Sequence, residues 1–220
     1  MKYRLAIFDL DGTVLNTLDD LAAAANAALE MHGFPRHSVE DVRRFVGNGV
    51  AKLIRRAVPE GTSDEECARV LADFKAYYRD HVNVHTRPYD GIPELLAALK
   101  RAGVRVGINS NKFDAALQSL CRIHFDGLYD CAVGESEITP RKPDPTAARR
   151  IMEGLGVAPE ETIYIGDSGV DLETARNAGT DCAWVSWGFR RHEEMQAYEN
   201  RRAFDCVDAL QAFLLEGARR

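Results

Sequence analysis

Residues 3–13 read Tyr3-Arg4-Leu5-Ala6-Ile7-Phe8-Asp9-Leu10-Asp11-Gly12-Thr13. The run from Tyr3 to Leu10 is short and apolar, and it gives way to Asp-Leu-Asp-Gly. That is the pattern of a buried strand ending at a polar turn. Two aspartates at the end of such a strand are costly unless something compensates them. Asp9 and Asp11 are therefore candidate functional residues from the start.

From Thr17 the period changes from strand to helix. Leu18, Leu21, Ala22, Ala25, Ala28 and Leu29 recur at helical spacing, with Thr17 as N-cap and Gly33 as stop. Ser38 and Asp41 mark the start of a second helix, Val39–Val46, which Gly47 ends. Val50–Ala57 and Ser63–Arg79 read as two more, so residues 17–84 are expected to be all helix. Beyond Pro88 strands and helices alternate. Strands are expected at Val104–Ile108, Cys131–Val133, Thr162–Ile165 and Cys182–Val185. Helices are expected from Pro93 to Arg101 and at Asp114–Cys121, Pro145–Leu155, Val170–Ala178 and Val207–Leu214. Strands that are continuous apolar runs between helices imply a parallel sheet covered on both faces. The expected organisation is an α/β core made of residues 1–16 and 85–220, with residues 17–84 inserted after the first strand.

Composition excludes several functions. The 220 residues are 45% hydrophobic and 28% charged, the balance of an ordinary globular chain. Acidic residues outnumber basic ones, 34 to 28, for a formal charge of −6. That balance argues against nucleic acid as the main partner and against a membrane surface. No apolar run reaches the length of a membrane span. Asp9 and Asp11 interrupt the first apolar stretch too early for a signal peptide. Five cysteines, odd in number and without a C-x-x-C pair, suit reduced thiols in a cytoplasm.

In open parallel sheets ligands bind beyond the carboxyl ends of the strands. Four segments fall there: Asp9-Leu10-Asp11-Gly12-Thr13, Asn109-Ser110-Asn111-Lys112, Arg141-Lys142-Pro143-Asp144-Pro145 and Gly166-Asp167-Ser168-Gly169-Val170-Asp171. Clustered carboxylates without His or Cys are hard ligands that suit Mg2+. A lysine, a hydroxyl and turn amides suit a phosphate dianion. A carboxylate beside a metal can act as nucleophile, and a second one two residues on as general acid and base. The set reads as phosphoryl transfer through an aspartyl-phosphate.

These four segments, in this order, resemble the motifs of the haloacid dehalogenase (HAD) superfamily. The insert resembles that superfamily's all-helical C1 cap on a Rossmann-like core. Val46-Gly47-Asn48-Gly49, Arg87-Pro88-Tyr89-Asp90-Gly91 and Trp187-Gly188-Phe189 resemble its phosphoglycolate phosphatase-like branch; Asp90 stands where that branch usually carries proline. The resemblance implies a Mg2+-dependent hydrolase of small phosphorylated metabolites, monomeric or homodimeric. Asp9 would be the nucleophile and Asp11 the acid/base. Ser110 and the amide of Asn111 would hold the phosphate, with Lys142 neutralising it and orienting Asp9. Asp9, the carbonyl of Asp11 and Asp167 would hold Mg2+, and Asp171 would support them from behind. In the cap, Gly47, Asn48, Gly49 and Lys52, together with Arg43 or Arg44, are expected to meet the rest of the substrate, best represented by 2-phosphoglycolate. Sugar phosphomutase, inorganic pyrophosphatase and nucleotidase activities stay open on the same scaffold. A non-enzymatic phospho-accepting module is disfavoured, because such modules are about half this length and lack a cap.

Overall fold

Apolar runs flanked by turn residues become strands wherever a neighbouring strand can pair with them, and this decides the architecture. The computed structural model describes residues 2–198 and 202–216. In chain order the elements begin with β1 (Leu5–Phe8), β2 (Leu15–Asn16), α1 (Leu18–Met31), α2 (Val39–Phe45), α3 (Val50–Ala57), α4 (Asp64–His81) and β3 (Arg87–Pro88). They continue with α5 (Ile92–Arg101), β4 (Arg105–Phe113), α6 (Asp114–Phe125), β5 (Cys131–Glu135), α7 (Thr146–Leu155), β6 (Thr162–Gly166), α8 (Gly169–Ala178), β7 (Asp181–Val185), β8 (Ala203–Phe204) and α9 (Val207–Leu214). No helix among the described residues is long and apolar enough to cross a membrane.

Contacts divide the chain into two units, residues 1–15 with 88–220, and residues 16–87. The first unit carries a six-stranded sheet in the order β5-β4-β1-β6-β7-β8. Its pairings are parallel, with Leu5 opposite Arg105 on one side of β1 and opposite Thr162 on the other. This is the α/β, Rossmann-like class that the alternation of strands and helices implied. Leu5, Ile7 and Tyr164 pack with Ala148, Ile151 and Ala175 of α7 and α8, giving the central strands one buried face. Gly107 on β4 lets that layer close, since a Cβ there would press on Ile151.

The second unit buries Leu21, Ala25 and Leu29 of α1 against Val42, Leu53, Ile54, Val70 and Phe74. Ser38 caps α2 in a reciprocal box with Asp41, as the sequence suggested. Thr17 precedes α1 but makes no side-chain capping bond. Residues 85–87 fall with the helical unit, whereas the sequence reading placed the return at residue 85. The cause is Asp20, buried in α1, whose carboxylate accepts hydrogen bonds from the amides of Val84, His85 and Thr86 at 2.9–3.1 Å and from the Thr86 hydroxyl at 2.8 Å. The two connections between the units, β2 and β3, pair with each other as a small two-stranded sheet.

Candidate active site

The central strands set the site's spacing. Asp9 follows β1 directly, and its backbone N–H donates to the carbonyl of Ile165 on β6 at 2.8 Å. Asp167 follows β6, so the two aspartates leave adjacent parallel strands side by side. Ser168 then caps α8, and Asp171 in its first turn accepts from the Ser168 amide (3.1 Å) and hydroxyl (2.6 Å) through Oδ2. Its other oxygen accepts from Lys142 Nζ at 2.7 Å. The same ammonium lies 2.8 Å from Oδ1 of Asp9, with only 4% of the lysine side chain exposed. The amide of Leu10 also engages Oδ1 of Asp9, at 2.7 Å.

Asp9, Asp167 and Asp171 are all buried, with one carboxylate oxygen from each inside a 4.8 Å cluster. Burial pushes the Asp9 carboxyl well up, helped by the charges of Asp171 and Asp167 and opposed by Lys142. Burial likewise pushes Asp167 up to about 7, with the Asp171 charge adding to it. Burial works against the Lys142 charge, yet Asp171 and Asp9 outweigh it and hold the ammonium well above its usual range. Three buried carboxylates thus face one buried ammonium. An all-oxygen set with surplus negative charge fits a hard divalent cation. Asp171 has both oxygens engaged by protein donors.

Asp167 is held from its far side. Its Oδ2 accepts from the Phe189 amide at 2.6 Å, and its carbonyl from Trp184 Nε1 at 2.7 Å. Gly188 and Gly12 lie against its carboxylate, where a Cβ on either would collide with it. Gly12 also adopts φ +86°, the left-handed region that glycine tolerates. The branch-like Trp187-Gly188-Phe189 string therefore has a local reason: it wraps Asp167. Trp184 acts through its indole N–H on a main-chain carbonyl and Phe189 through its own main-chain amide, and sequence pattern carries no sign of either bond.

The second segment departs from expectation. The apolar run predicts a strand at Val104–Ile108, but β4 runs on through Ser110, Asn111 and Lys112 to Phe113. The step from Asn109 to Phe113 is matched on β5 only by Val133 to Glu135, so these residues form a bulge. Bulges turn side chains out of the strand's alternation beside active sites. Ser110 is buried there, and its Oγ accepts from the Lys112 amide at 3.2 Å. Asn111 grips the main chain of Lys142, accepting from its N–H at 2.7 Å and donating to its carbonyl at 3.4 Å. Lys112, which follows Asn111 in the same segment, places Nζ 3.0 Å from Oδ1 of Asp11. The structure thus brings Asp9, Lys142, Asp167 and Asp171 into one cluster and pairs Asp11 with Lys112.

Gly47, Asn48, Gly49 and Lys52 belong to the helical unit. Gly47 (φ 120°) and Gly49 (φ 82°) take backbone that other residues adopt rarely. The Asn48 side chain is occupied, its Oδ1 accepting from Arg56 at 3.0 Å. Lys52 is exposed. Arg43 is buried and forked onto Glu40 at 3.0 and 3.1 Å, and Arg44 shares that carboxylate at 3.5 Å. Both arginines thus engage Glu40, Arg43 from a buried position and Arg44 from an exposed one.

Sequence and fold are similar to those of known phosphatases. A phosphoglycolate phosphatase of Thiobacillus denitrificans is 36% identical over 199 residues, covering 87% of this chain and 86% of its own. An N-acetylmuramic acid 6-phosphate phosphatase of Pseudomonas aeruginosa is 33% identical over 90% of this chain and 88% of its own. A solved structure from Lactobacillus delbrueckii subsp. bulgaricus, provisionally assigned as a phosphoglycolate phosphatase, superposes with a TM-score of 0.93 at 36% identity, covering 97% of this chain and 99% of that one. The sequence pattern of haloacid dehalogenase-like hydrolases matches residues 6–185. Buried acidic cluster, sheet order and sequence together place the chain in the haloacid dehalogenase-like hydrolase family.

Proposed function

We propose that this hydrolase is a Mg2+-dependent phosphatase that cleaves small phosphomonoesters through a phosphorylated Asp9. The observation that carries the reading is the buried Asp9 carboxylate, held on Oδ1 by Lys142 Nζ at 2.8 Å beside Asp167 and Asp171. Both donors to Asp9 fall on Oδ1, which leaves Oδ2 for in-line attack on phosphorus. Lys142 fixes the attacking group and draws off negative charge as the phosphoryl group arrives. Ser110 and the amide of Asn111 receive the phosphoryl oxygens. Asp11 gives a proton to the leaving oxygen, then takes one from the water that hydrolyses the acyl phosphate on Asp9. Asp9, the carbonyl of Asp11 and Asp167 would hold Mg2+, which supplies charge neutralisation for the dianion.

Residues 17–84 serve as the cap that meets the remainder of the substrate. The glycine-rich turn Gly47-Asn48-Gly49 and the exposed Lys52 suit a second small anionic group. Their character and the phosphoglycolate phosphatase relatives support 2-phosphoglycolate as substrate. The five cysteines are free thiols, in keeping with a cytoplasmic enzyme.

The test is Asp9→Asn, assayed with Mg2+ against 2-phosphoglycolate, sugar 6-phosphates and an aryl phosphate. Turnover should vanish on all three while the circular dichroism spectrum is unchanged. Retention of more than about a tenth of wild-type kcat would assign the nucleophile elsewhere. Preference of the wild type for sugar 6-phosphates would overturn the substrate and leave the chemistry standing.

A further inference from the structure

We infer that Lys112 is a positioning residue for Asp11, selecting the carboxylate orientation that serves the leaving group. The inference rests on the reading of Asp11 as general acid/base. Lys112 sits on the bulge of β4, with Nζ 3.0 Å from Oδ1 of Asp11, and 3% of its side chain is exposed against 18% for the aspartate. A lysine is seldom so deeply buried without an anion to meet it. Its backbone joins a second part of the site, because its N–H donates to Oγ of Ser110 at 3.2 Å. One residue therefore ties the proposed phosphate-binding hydroxyl to the proposed acid, through main chain and side chain respectively.

The bulge that permits this is itself accommodated. Gly134 on β5 lies against the Lys112 carbonyl and the main chain of Asp114, where a Cβ would collide with both. Lys142 does not serve Asp11 in the same way, since its ammonium is shared between Asp9 and Asp171. The two lysines divide the carboxylates between them, Lys142 on the nucleophile and Lys112 on the acid/base. An acid must come within about 2.6–3.2 Å of the oxygen it protonates. Asp11 follows β1 in a turn and has two side-chain torsions to fix, and a buried ammonium on one oxygen fixes both. A displacement of about 1 Å at such a group costs on the order of a hundred-fold in rate.

The experiment compares Lys112→Met and Lys112→Arg with wild type at saturating Mg2+, reading leaving-group release in the first turnover. p-Nitrophenyl phosphate expels its leaving group without a proton, whereas an alkyl phosphate needs one. Lys112→Met should slow the alkyl phosphate about ten- to a hundred-fold and the aryl phosphate by less than about three-fold. Lys112→Arg should recover most of the alkyl rate. The aryl rate also reports that the variant is folded with its nucleophile intact. Equal losses on the two substrates, or no loss on the alkyl phosphate, overturn the inference. Asp11→Asn separates it from the underlying reading. If that variant shows the selective alkyl loss and Lys112→Met does not, the role of Lys112 alone falls. If Asp11→Asn shows no selectivity, the acid assignment falls and takes the inference with it. In an Asp11→Asn background, Lys112→Met should add less than about two-fold, and a full further loss refutes action through Asp11.

Discussion

Replacing Lys142 with methionine tests the electrostatics of the site directly. Methionine keeps the length of the side chain but withdraws the one ammonium between Asp9 and Asp171, whose side chains are 10% and 0% exposed. Removing one partner of a buried ion pair costs about 3–5 kcal/mol, because the other charge stays buried. The protein has a partial escape, which is to take up a proton. Lys142 is among the groups holding the Asp9 and Asp167 carboxyls down, so its loss lifts them further. A carboxyl whose folded pKa lies above its unfolded value binds a proton in the native state that the unfolded chain lacks. Stability from such a group therefore falls as pH rises through the window between the two values. For Asp167 that window runs from 3.8 to about 7 in the parent protein, and the variant extends it upward. The full cost of Lys142→Met is thus felt near pH 8 and much of it is relieved near pH 5.5. At about 2–4 °C per kcal/mol for a protein of this size, Tm in EDTA should fall by about 6–20 °C at pH 8. At pH 5.5 the fall should be less than half as large. Scanning fluorimetry of both proteins across that range gives the answer. An equal Tm loss at both pH values would assign Lys142 a packing role and refute the reasoning. A loss under about 2 °C at pH 8 would mean that the buried charge is compensated by other groups.

Asp167→Ala should raise the Mg2+ concentration for half-maximal activity at least about ten-fold or abolish activity, read by metal titration; an unchanged requirement would remove Asp167 from the metal site. Gly188→Ala inserts a methyl group against Asp167 and the Gly12 carbonyl. Overpacking there should cost about 1–3 kcal/mol in denaturant melts and depress kcat, whereas wild-type stability would show that the Trp187–Phe189 turn yields freely. His32 has a carboxylate at each ring nitrogen, Glu66 at 2.5 Å and Asp73 at 2.7 Å, so both nitrogens donate when the ring is charged. The bonds to Asp73 and then Glu66 lift its pKa above 6.5. The stabilisation is complete below about pH 6.5 and disappears as pH rises through the higher folded value. His32→Gln should lower Tm by about 2–4 °C at pH 6 and by much less at pH 9, and a pH-independent loss would refute a charged clamp.

Much of the fold follows from periodicity alone. Val50–Ala57 and Val207–Leu214 have the bounds read from sequence, because each apolar stripe is closed by residues that break it. Ala203–Phe204 escapes such reading, since two residues carry no period and only pairing with β7 makes them a strand. Asn109–Lys112 looks like turn chemistry in sequence, yet β5 holds it in the ladder across a bulge. Asp9 and Asp11 were legible because acids ending a buried strand are expensive. Lys112 was not, because a lysine in a polar run reads as solvated until the fold brings Asp11 beside it. The bonds from Trp184 and Phe189 to Asp167 lie 17 and 22 residues away and use main-chain atoms, so no side-chain pattern encodes them.

The carboxylate of Asp20 has a consequence for how the chain finds its fold. The central pairing of the sheet sets Leu5 against Arg105, a contact of very long sequence separation, and the entropy of closing such a loop grows with its logarithm. By gathering the amides of residues 84–86 onto the first turn of α1, Asp20 draws the two ends of the helical segment together. Helices built from local contacts form early. Once they have, the unstructured chain between β1 and β4 is shortened by roughly two thirds, which removes about 1 kcal/mol from the search for that first pairing. Asp20 thereby acts as a splice in the folding pathway, letting the interrupted core fold nearly as if nothing had been inserted.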